Sequence, residues 1–372
     1  MNPGGIESWL LQLARCADRS RLSLDFLVYT DEGGAYDVEL LSLGARIFQC
    51  PRSDPPWAYA KNMWRVLRRH GPYDVVHSHV HYFSGWVLTI AALAGVPVRL
   101  VHSHTDTRTE DARASAARKL YLATMKFLLR QTATAAVAAS SEAGAALFGE
   151  SWPSRLKWSL LRCAIDLTPF REPPRVSLRD ELGIPRDAFV VGHVGRLVEV
   201  KNHAFLIRIA EAAQVLDPTI HFLVVGDGPL RADIERGITE AQLNHRFTLA
   251  GQRSDVAALM VGAMDAFVLP SLFEGLPVVL IEAQASGLPC LVSDTVSPES
   301  KIVNSLFFRQ PLCSSPQAWA GKLLGLREAR RNVTRELALK TVEASPFEIH
   351  SNVEWLTALY RRQLNSDLRW KS

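Results

Sequence analysis

Short apolar segments alternate with amphipathic helical patterns along most of this 372-residue chain. This alternation constrains the fold, because the strands of a parallel sheet are buried on both faces and are joined by helices. In the first half, the predicted strands are LDFLVY, ARIFQC, YDVVHSH, VRLVHSH and TAAVAAS. In the second half, they are AFVVGHVG, HFLVVGDG, RFTLAG, AFVLPS and PCLVSD. The sequence therefore predicts an α/β protein with two doubly wound domains.

A proline-rich stretch, RCAIDLTPFREPPR, interrupts the alternation, and its Pro169, Pro173 and Pro174 indicate a linker. The predicted divisions are a first domain over residues 1–165, a linker over 166–186, a second domain over 187–345 and terminal helices over 346–372. The two domains are expected to face a central cleft. Ligands of doubly wound sheets bind beyond the carboxyl ends of the strands, so the loops after the strands are expected to carry the functional residues.

The composition is that of a soluble globular protein, with 48% hydrophobic and 22% charged residues. No continuous apolar run reaches the ~18 residues that a transmembrane helix needs, and no basic-then-apolar signal pattern opens the chain. The cysteines are scattered and lack metal-ligand spacing, so we expect them reduced and packed in a cytoplasmic protein. They are Cys16, Cys50, Cys163, Cys290 and Cys313.

Charge is distributed unevenly, although the net charge is only +4. Residues 51–130 hold 12 basic and 5 acidic side chains, a net of +7, whereas 187–300 hold 7 and 14, a net of −7. Two basic helical patterns in the first half are WAYAKNMWRVLRRH and ARKLYLATMKFLLRQ. Such helices can bind an anionic membrane surface or an acidic ligand. Alternatively, their apolar residues pack on the sheet and only a basic face meets solvent. No nucleic-acid partner is expected.

Two glutamates lie in the segment SLFEGLPVVLIEAQASGLP, which follows the predicted strand AFVLPS. Glu274 falls in the loop and Glu282 on the next helix, eight residues later. Two carboxylates near the same strand end could act as an acid and a base. Their separation also allows them to bind two different parts of an extended ligand. The alternative for Glu282 is an ordinary charge on a helix surface.

Two cations follow the first strand of the second half, in the segment GHVGRLVEVKN. Arg196 and Lys201 lie where a loop enters a helix, and such cations beside backbone N–H groups suit a diphosphate. Isolated surface charges are the alternative. The segment VVGDGPL places Gly226 and Gly228 after another strand. It is either part of the same site or a tight strand-to-helix turn, and it lacks the full nicotinamide-binding spacing.

The chain opens with a glycine pair, Gly4 and Gly5, that leads into a helical pattern. Asn2 and Pro3 suit the helix start. The apolar residues that recur at helical spacing are Ile6, Trp9, Leu10, Leu13 and Ala17. Glycine loops of this kind usually follow a buried strand, but no strand pattern precedes this one.

Taken in order, these motifs resemble the retaining family 4 glycosyltransferases, which have the GT-B fold of two Rossmann-like domains. The resemblance covers nearly the whole chain and includes GGIE, VVHSHVHYFSG, LVHSH, AASSEAGAALFG and AIDLTPF in the first half. It implies an N-terminal acceptor domain and a C-terminal domain that binds a nucleotide-sugar. It also implies that the terminal helices cross back onto the N-terminal domain.

The resemblance also implies roles for individual residues. Arg196 and Lys201 would hold the diphosphate of the donor, Glu274 the hydroxyls of the transferred sugar, and Glu282 the ribose hydroxyls. Further donor contacts would come from Gly5, Gly226, Gln252, Arg253, Gly275 and Leu276. Among them, Gly5 would bring its N–H close to a donor phosphate. Gln252 and Arg253 fall where the nucleotide base lies in the family.

His104, which ends LVHSH, matches a family histidine near the reacting sugar. Four neighbouring histidines compete with it for this role, and most of the five are expected to be structural: His77, His79, His81 and His102. A metal site in this cluster is conceivable. No carboxylate or cysteine spacing supports it, however, and the family needs neither a metal nor another cofactor. We therefore expect no metal.

The implied function is transfer of a hexosyl-type sugar, with retention, from a UDP- or GDP-sugar to a saccharide or lipid-linked acceptor. The expected context is bacterial cell-surface polysaccharide synthesis, in the cytoplasm or at the inner face of the cytoplasmic membrane. A nucleotide-sugar epimerase with the same fold is one alternative. A non-catalytic remnant that binds nucleotide is the other, and the N-terminus makes it relevant.

In the resembling family, GGIE follows a first strand of about six apolar residues that is interior in a 3-2-1-4-5 strand order. That strand is missing from the sequence given. Four or five absent buried side chains, at about 1.5–3 kcal/mol each, would cost on the order of 10 kcal/mol. A whole domain is stable by about 5–15 kcal/mol. We therefore expect the natural chain to start upstream of Met1.

Overall fold

The computed structural model describes residues 1, 4–51, 55–149, 152, 156, 158–172 and 177–368. The chain divides into two compact units. The first comprises Met1–Ala164 and Ile349–Ser372, and the second comprises Ile165–Glu348. Within the described ranges, no helix combines the length and the hydropathy that crossing a membrane requires.

In the described part of the first unit, six strands form two separate parallel sheets. The strands are β1 Asp25–Val28, β2 Arg46–Gln49, β3 Val75–Ser78, β4 Val98–Ser103, β5 Ala135–Ala138 and β6 Trp158–Leu160. One sheet has the order β1-β2 and the other β3-β4-β5-β6. Each of the five strand segments predicted in this half contains the matching strand, and β6 was not predicted.

Seven helices of the first unit surround these strands. They are α1 Gly5–Cys16, α2 Asp37–Ser42, α3 Pro56–His70, α4 Ser84–Leu93, α5 Arg108–Ala112, α6 Ala116–Thr132 and α7 Ser141–Leu147. Gly4 is the N-cap of α1, and the predicted start residues Asn2 and Pro3 lie outside the described residues. The buried face of α1 is Trp9, Leu11, Leu13 and Ala14. The expected face was therefore only partly right, because Ile6, Leu10 and Ala17 are half-buried.

The described residues of the second unit form one six-stranded parallel sheet. Its strands are β7 Phe189–Val194, β8 Ile220–Val225, β9 Phe247–Leu249, β10 Ala266–Leu269, β11 Cys290–Ser293 and β12 Phe307–Gln310. The order is β12-β11-β10-β7-β8-β9. Counted from β7, this is the doubly wound order 3-2-1-4-5-6, which reverses between β7 and β10. The crevice at this switch point is where such sheets bind ligands.

The helices of the second unit cover both faces of this sheet. They are α8 Leu178–Glu181, α9 His203–Leu216, α10 Arg231–Glu240, α11 Val256–Gly262, α12 Val278–Ala285, α13 Pro316–Asn332 and α14 Arg335–Glu343. Successive strand residues point to opposite faces, so Val190 belongs to the core beneath α12, and Val191 to the core beneath α9 and α13. Two residues of the predicted linker, Phe170 and Leu178, are buried in the first of these cores. Pro173 and Pro174 lie outside the described residues.

The final helix, α15 Ile349–Leu368, belongs to the first unit. It packs on α1, where the Trp9 indole N–H donates to Asn352 Oδ1 at 3.1 Å. No disulfide is found among the described residues, which include all five cysteines. The expectation that they are packed is wrong for Cys313, which is exposed.

Candidate functional site

An ion pair spans the switch point of the second unit. Lys201 ends a short 3₁₀ helix after β7, and Glu274 lies in the loop after β10. Lys201 Nζ donates to Glu274 Oε1 at 2.5 Å, and both side chains are largely buried, with 16% and 13% exposed. Two loops that are distant in sequence therefore bring opposite charges together at the end of the sheet where ligands bind.

Further hydrogen bonds hold these two loops in register. Ser271 Oγ donates to the same Glu274 oxygen at 2.7 Å, and Asn202 Nδ2 donates to the carbonyl of Pro270 at 3.0 Å. The backbone N–H of Leu272 donates to the carbonyl of Val200 at 2.8 Å. Asn202 takes the left-handed conformation, with φ of 57°, which asparagine tolerates better than most residues. These contacts fix both members of the ion pair before any ligand is present.

Two glycines let the loops after β7 and β8 approach each other closely, and a third leaves room for the Lys201 side chain. A Cβ on Gly226, whose φ is +134°, would lie 2.0 Å from the carbonyl oxygen of Gly195. A Cβ on Gly228 would lie 2.5 Å from the carbonyl oxygen of Leu197. At Gly195, a Cβ would lie 3.1 Å from Lys201 Cε. The GDGP segment is thus a tight turn. It packs against Gly195, which in turn contacts the Lys201 side chain.

Arg196 is exposed in the loop between Gly195 and Lys201. Among the described residues, no hydrogen bond or ion pair is recorded for its guanidinium, so its charge is available to a ligand. Gly275 and Leu276 lie between Glu274 and the start of α12. Backbone N–H groups at a helix start favour anions. The structure therefore collects cations and amide donors at one edge of the sheet.

Glu282 lies on α12, and burial raises the pKa of its carboxyl to about 7. No side-chain hydrogen bond to it is recorded among the described residues. A carboxyl group that is desolvated and unpartnered is costly to bury in its charged form. A ligand that donates hydrogen bonds to it would offset that cost.

Gln252 and Arg253 follow β9, as expected, but they differ in their surroundings. Gln252 is exposed. The guanidinium of Arg253 pairs with Asp255 Oδ2 at 2.7 Å and with Glu181 Oε1 at 2.8 Å. These two carboxylates raise the pKa of Arg253 above its usual range. Arg253 is therefore committed to ion pairs within the chain.

His104 lies in the first unit, directly after β4. Its Nε2 is 3.0 Å from His79 Nδ1, and its Nδ1 is 3.6 Å from Cys163 Sγ. Burial, followed by the neighbouring histidines, holds the pKa of His104 well below its usual range. His104 is therefore neutral at pH 7 and can donate from one ring nitrogen while it accepts at the other.

Gly5 is the first residue of α1 and is exposed. A Cβ at this position would meet nothing within 4 Å. Packing within the chain therefore does not require glycine here, and its proposed contact with a donor phosphate stays a prediction.

Several residues at these positions were not found from the sequence. Ser271 and Asn202 orient the ion pair, and Cys163 contacts His104. The sequence offered one usable signal, since Asn202 directly follows Lys201 at a predicted helix start, where asparagine is a common cap. Nothing local in the sequence connects Cys163 with His104, which lie 59 positions apart.

Comparison with known proteins gives two matching families and related chains. The family described as "Glycosyl transferase 4-like domain" matches residues 4–158, and "Glycosyl transferases group 1" matches residues 175–329. The Bacillus subtilis (strain 168) protein described as "Putative glycosyltransferase EpsF" is 36% identical and covers 99% of this chain and 96% of its own length. An Escherichia coli protein described as "UDP-Gal:alpha-D-GlcNAc-diphosphoundecaprenol alpha-1,3-galactosyltransferase" is 34% identical over 63% of this chain and 60% of its own.

Among solved structures, the crystal structure of Anabaena HepE in complex with UDP matches with a TM-score of 0.79. The match covers 97% of both chains at 19% identity. At this sequence identity, the structural similarity is evidence for the fold alone. It confirms the predicted GT-B fold with two Rossmann-like domains.

Proposed function

Since this chain belongs to the group 1 glycosyltransferases, we propose that it transfers a hexosyl residue from a nucleotide-sugar to a saccharide or lipid-linked acceptor. The proposal includes retention of configuration at the anomeric carbon, as in family 4. The second unit binds the donor, and the first unit binds the acceptor. HepE, with the same fold, is described in complexes with UDP and with UDP-glucose, which favours a UDP-sugar over a GDP-sugar.

The observation that carries the proposal is the Lys201–Glu274 ion pair at the switch point of the second sheet. In a nucleotide-sugar, the bond that breaks joins an anionic diphosphate to a sugar that carries hydroxyl groups. A cation suits the diphosphate side of that bond, and an adjacent carboxylate can accept hydrogen bonds from the sugar side. Lys201 and Arg196 bind the diphosphate, and Glu274 accepts hydrogen bonds from the transferred sugar. Donor binding then replaces the ion pair with contacts to phosphate and hydroxyl groups.

The remaining donor contacts follow from the same geometry. Glu282 accepts hydrogen bonds from the ribose hydroxyls, which supply the donors that its half-buried carboxyl lacks. Gly275 and Leu276 donate their N–H groups to sugar and phosphate. Gly226 has no side chain, which leaves space for the donor beside the loop after β7. Arg253 reaches the base only if it leaves its two carboxylates, so exposed Gln252 is the better candidate of that pair.

Charge development explains the chemistry that this set of residues can perform. When the anomeric C–O bond breaks, negative charge appears on the leaving diphosphate and the sugar gains oxocarbenium character. Lys201, Arg196 and the helix-terminal N–H groups stabilise the leaving group. A phosphate oxygen takes the proton of the incoming hydroxyl, which then attacks from the same face and retains the configuration. Neither a metal nor a carboxylate nucleophile is required, and His104 donates a hydrogen bond to the transferred sugar.

A lipid-linked acceptor is supported by the described activity of the Escherichia coli relative, which acts on a diphosphoundecaprenol-linked sugar. The structure adds an exposed stripe on α3, formed at helical spacing by Trp57, Lys61, Trp64 and Arg68. Trp57 and Trp64 are 70% and 46% exposed. Aromatic residues interleaved with cations suit the interface of an anionic bilayer.

The stripe on α3 leads us to propose peripheral binding at the inner face of the cytoplasmic membrane. Replacing both tryptophans by alanine should reduce flotation with anionic vesicles, while neutral vesicles capture neither protein. Val215→Ala, on a still more exposed apolar residue of the second unit (81% exposed), is the control. Equal flotation of wild type and the double variant would contradict this location.

The transfer reaction itself is tested with purified protein, a panel of UDP- and GDP-sugars, and a diphospho-lipid-linked saccharide. We expect donor-derived sugar on the acceptor, with the anomeric configuration of the donor by NMR. An isomerised donor without transfer would indicate an epimerase. Binding of UDP without either product would indicate a non-catalytic chain. An inverted product would contradict retention alone.

A further inference from the structure

Four histidines of the first unit lie together on one face of its larger sheet. Strands β3 and β4 each run into a His-Ser-His segment, which holds His77 and His79 in one and His102 and His104 in the other. Alternate residues of a strand point to the same face, and the two strands are neighbours. The ring centres of His79 and His102 are 5.4 Å apart, and those of His77 and His102 are 5.3 Å apart.

Three of these rings bring nitrogen atoms close to one another. One ring nitrogen from each of His77, His79 and His102 lies within 4.8 Å of the others. Two buried nitrogens of the set, His77 Nε2 and His102 Nδ1, have no hydrogen-bond partner among the described residues. Buried polar atoms without a partner are rare in native structures and call for an explanation such as a bound ion.

In His77 and His102, the second ring nitrogen makes a hydrogen bond that can leave the unpartnered nitrogen with its lone pair. His102 Nε2 lies 3.0 Å from the carbonyl oxygen of Leu161, which can only accept, so Nε2 carries the proton and Nδ1 keeps its lone pair. His77 Nδ1 lies 2.7 Å from Tyr360 OH, and donation to that oxygen leaves the lone pair on Nε2. Metal-binding histidines are oriented by partners of this kind.

We propose that His77, His79 and His102 bind one divalent transition-metal ion of the zinc class. Neutral imidazole is a favoured ligand of Zn²⁺, Co²⁺ and Cu²⁺. Three histidines leave a fourth position open for water or another ligand. Bonds of about 2.0–2.1 Å in a tetrahedral site separate the ligand nitrogens by roughly 3.4 Å, so the rings close in on the ion. The sequence-based expectation of no metal rested on the resembling family, which needs none, and on the missing carboxylate and cysteine spacing, which a three-histidine site does not need.

The bound ion also affects His104, a consequence that rests on the proposed function. When the ion binds His79 through Nε2, the remaining proton of that ring sits on Nδ1 and is donated to His104 Nε2, 3.0 Å away. His104 Nε2 is then fixed as an acceptor, whereas without the ion the pair can also take the tautomer in which His104 Nε2 carries the proton that a donation to sugar needs. Metal binding should therefore slow glycosyl transfer.

The site is tested with the full-length chain after chelator treatment, using Co²⁺ as the probe. We expect one Co²⁺ per chain, with the intense visible absorption of a four-coordinate site, and displacement by Zn²⁺. His77→Gln and His102→Gln should each weaken binding by at least about 100-fold, because loss of even an orienting partner costs about 10–100-fold. His245→Gln, which removes an exposed histidine of the second unit, should leave binding unchanged.

Tyr360→Phe keeps the aromatic ring and removes only the hydroxyl that orients His77, so it remains informative if the glutamine variants do not fold. We expect it to weaken Co²⁺ binding by about 10–100-fold with an unchanged circular dichroism spectrum. Absence of a stoichiometric Co²⁺ band, or equal affinity in wild type and Tyr360→Phe, would overturn the proposal. These readouts need no donor or acceptor, so they are independent of whether the chain transfers sugars.

Discussion

The two units both place polar side chains at the carboxyl ends of parallel strands, but they do so in different chemical forms. In the second unit, the polar groups carry full charges, with Lys201 paired to Glu274 and Arg196 unpaired among the described residues. In the first unit, the polar groups are imidazoles, and burial lowers the pKa of His79 to about 3. One unit therefore offers charge at pH 7, and the other offers hydrogen bonds without charge.

This difference suits the two needs of glycosyl transfer, which are stabilisation of an anionic leaving group and hydrogen bonding of a neutral sugar. A dianionic leaving group needs cations and amide dipoles that are already in position. A transferred sugar is neutral, and a neutral imidazole can hydrogen-bond it without opposing the oxocarbenium character of the reaction. Single substitutions can distinguish donor binding, which we propose for the second unit, from turnover, to which we propose that the first unit also contributes.

The largest effect is expected from Lys201→Ala. Loss of one preorganised charge on the leaving group should lower turnover by about 100–1,000-fold. Steady-state transfer kinetics with a UDP-sugar measure it. Lys340→Ala, on an exposed lysine of α14, should retain wild-type rates. Near-wild-type turnover of Lys201→Ala would contradict the proposal that Lys201 stabilises the leaving diphosphate.

Gly226→Ala should destabilise the second unit by about 3 kcal/mol or more. A strained φ costs about 1–3 kcal/mol, and the added Cβ would overlap the carbonyl oxygen of Gly195. Gly321→Ala is the control, because position 321 lies within α13 and a Cβ there meets nothing within 4 Å. That change should instead stabilise by about 0.5–1 kcal/mol. Urea unfolding compares the two, and equal stabilities would refute the close approach of the loops.

Glu282→Gln should make the folded protein more stable at high pH and weaken its binding of the donor. The folded-state pKa of about 7 exceeds the ordinary value of 4.5, so the folded protein binds more protons than the unfolded chain between these pH values. Stability then falls as pH rises through this window, by up to about 3 kcal/mol. The glutamine variant lacks this fall, so it should unfold at a higher temperature than wild type at pH 8 and at a similar temperature at pH 4.

In the same variant, UDP affinity should be reduced at pH 8, where wild-type Glu282 is ionised and accepts ribose hydroxyls. Thermal unfolding with and without UDP gives both quantities, because a ligand that binds the folded state raises its apparent stability. A variant with the pH profile and UDP response of wild type would exclude Glu282 from the donor site.

His104→Gln is expected to have the smallest effect and the most selective one. Loss of one hydrogen bond in the transition state should lower kcat by about 10–100-fold, which corresponds to about 1.5–3 kcal/mol. The Kd for UDP should stay within about twofold of wild type, because His104 belongs to the first unit. Stopped-flow or equilibrium binding, together with kcat, provides the test. Parallel losses of UDP affinity and kcat would contradict the division between the units.

The sequence predicted the strands well because buried parallel strands form continuous apolar runs that stand out from helical patterns. It also found Lys201 and Glu274 through their position after such strands. It could not predict that the two form an ion pair, since that contact depends on the strand order that brings β7 beside β10. Strand β6 was missed because two of its three residues are exposed.

Errors in the apolar faces have a similar origin. Helical spacing alone does not tell which side of α1 meets α15, so Leu11 and Ala14 were missed. The histidine cluster was recognised as a cluster, but its unpartnered nitrogens depend on the positions of Leu161 and Tyr360, which lie far away in sequence. Local sequence patterns thus predicted the helices and strands, whereas contacts between residues distant in sequence determine the partners of the site's polar groups.

The central claim is that donor binding depends on the charges of the second unit. Isothermal titration of UDP into wild type, Lys201→Ala and His104→Gln tests it most directly. We predict one UDP per chain for wild type and for His104→Gln with similar Kd, and a loss of affinity for Lys201→Ala. Binding of UDP that is weakened by His104→Gln but not by Lys201→Ala would contradict the account.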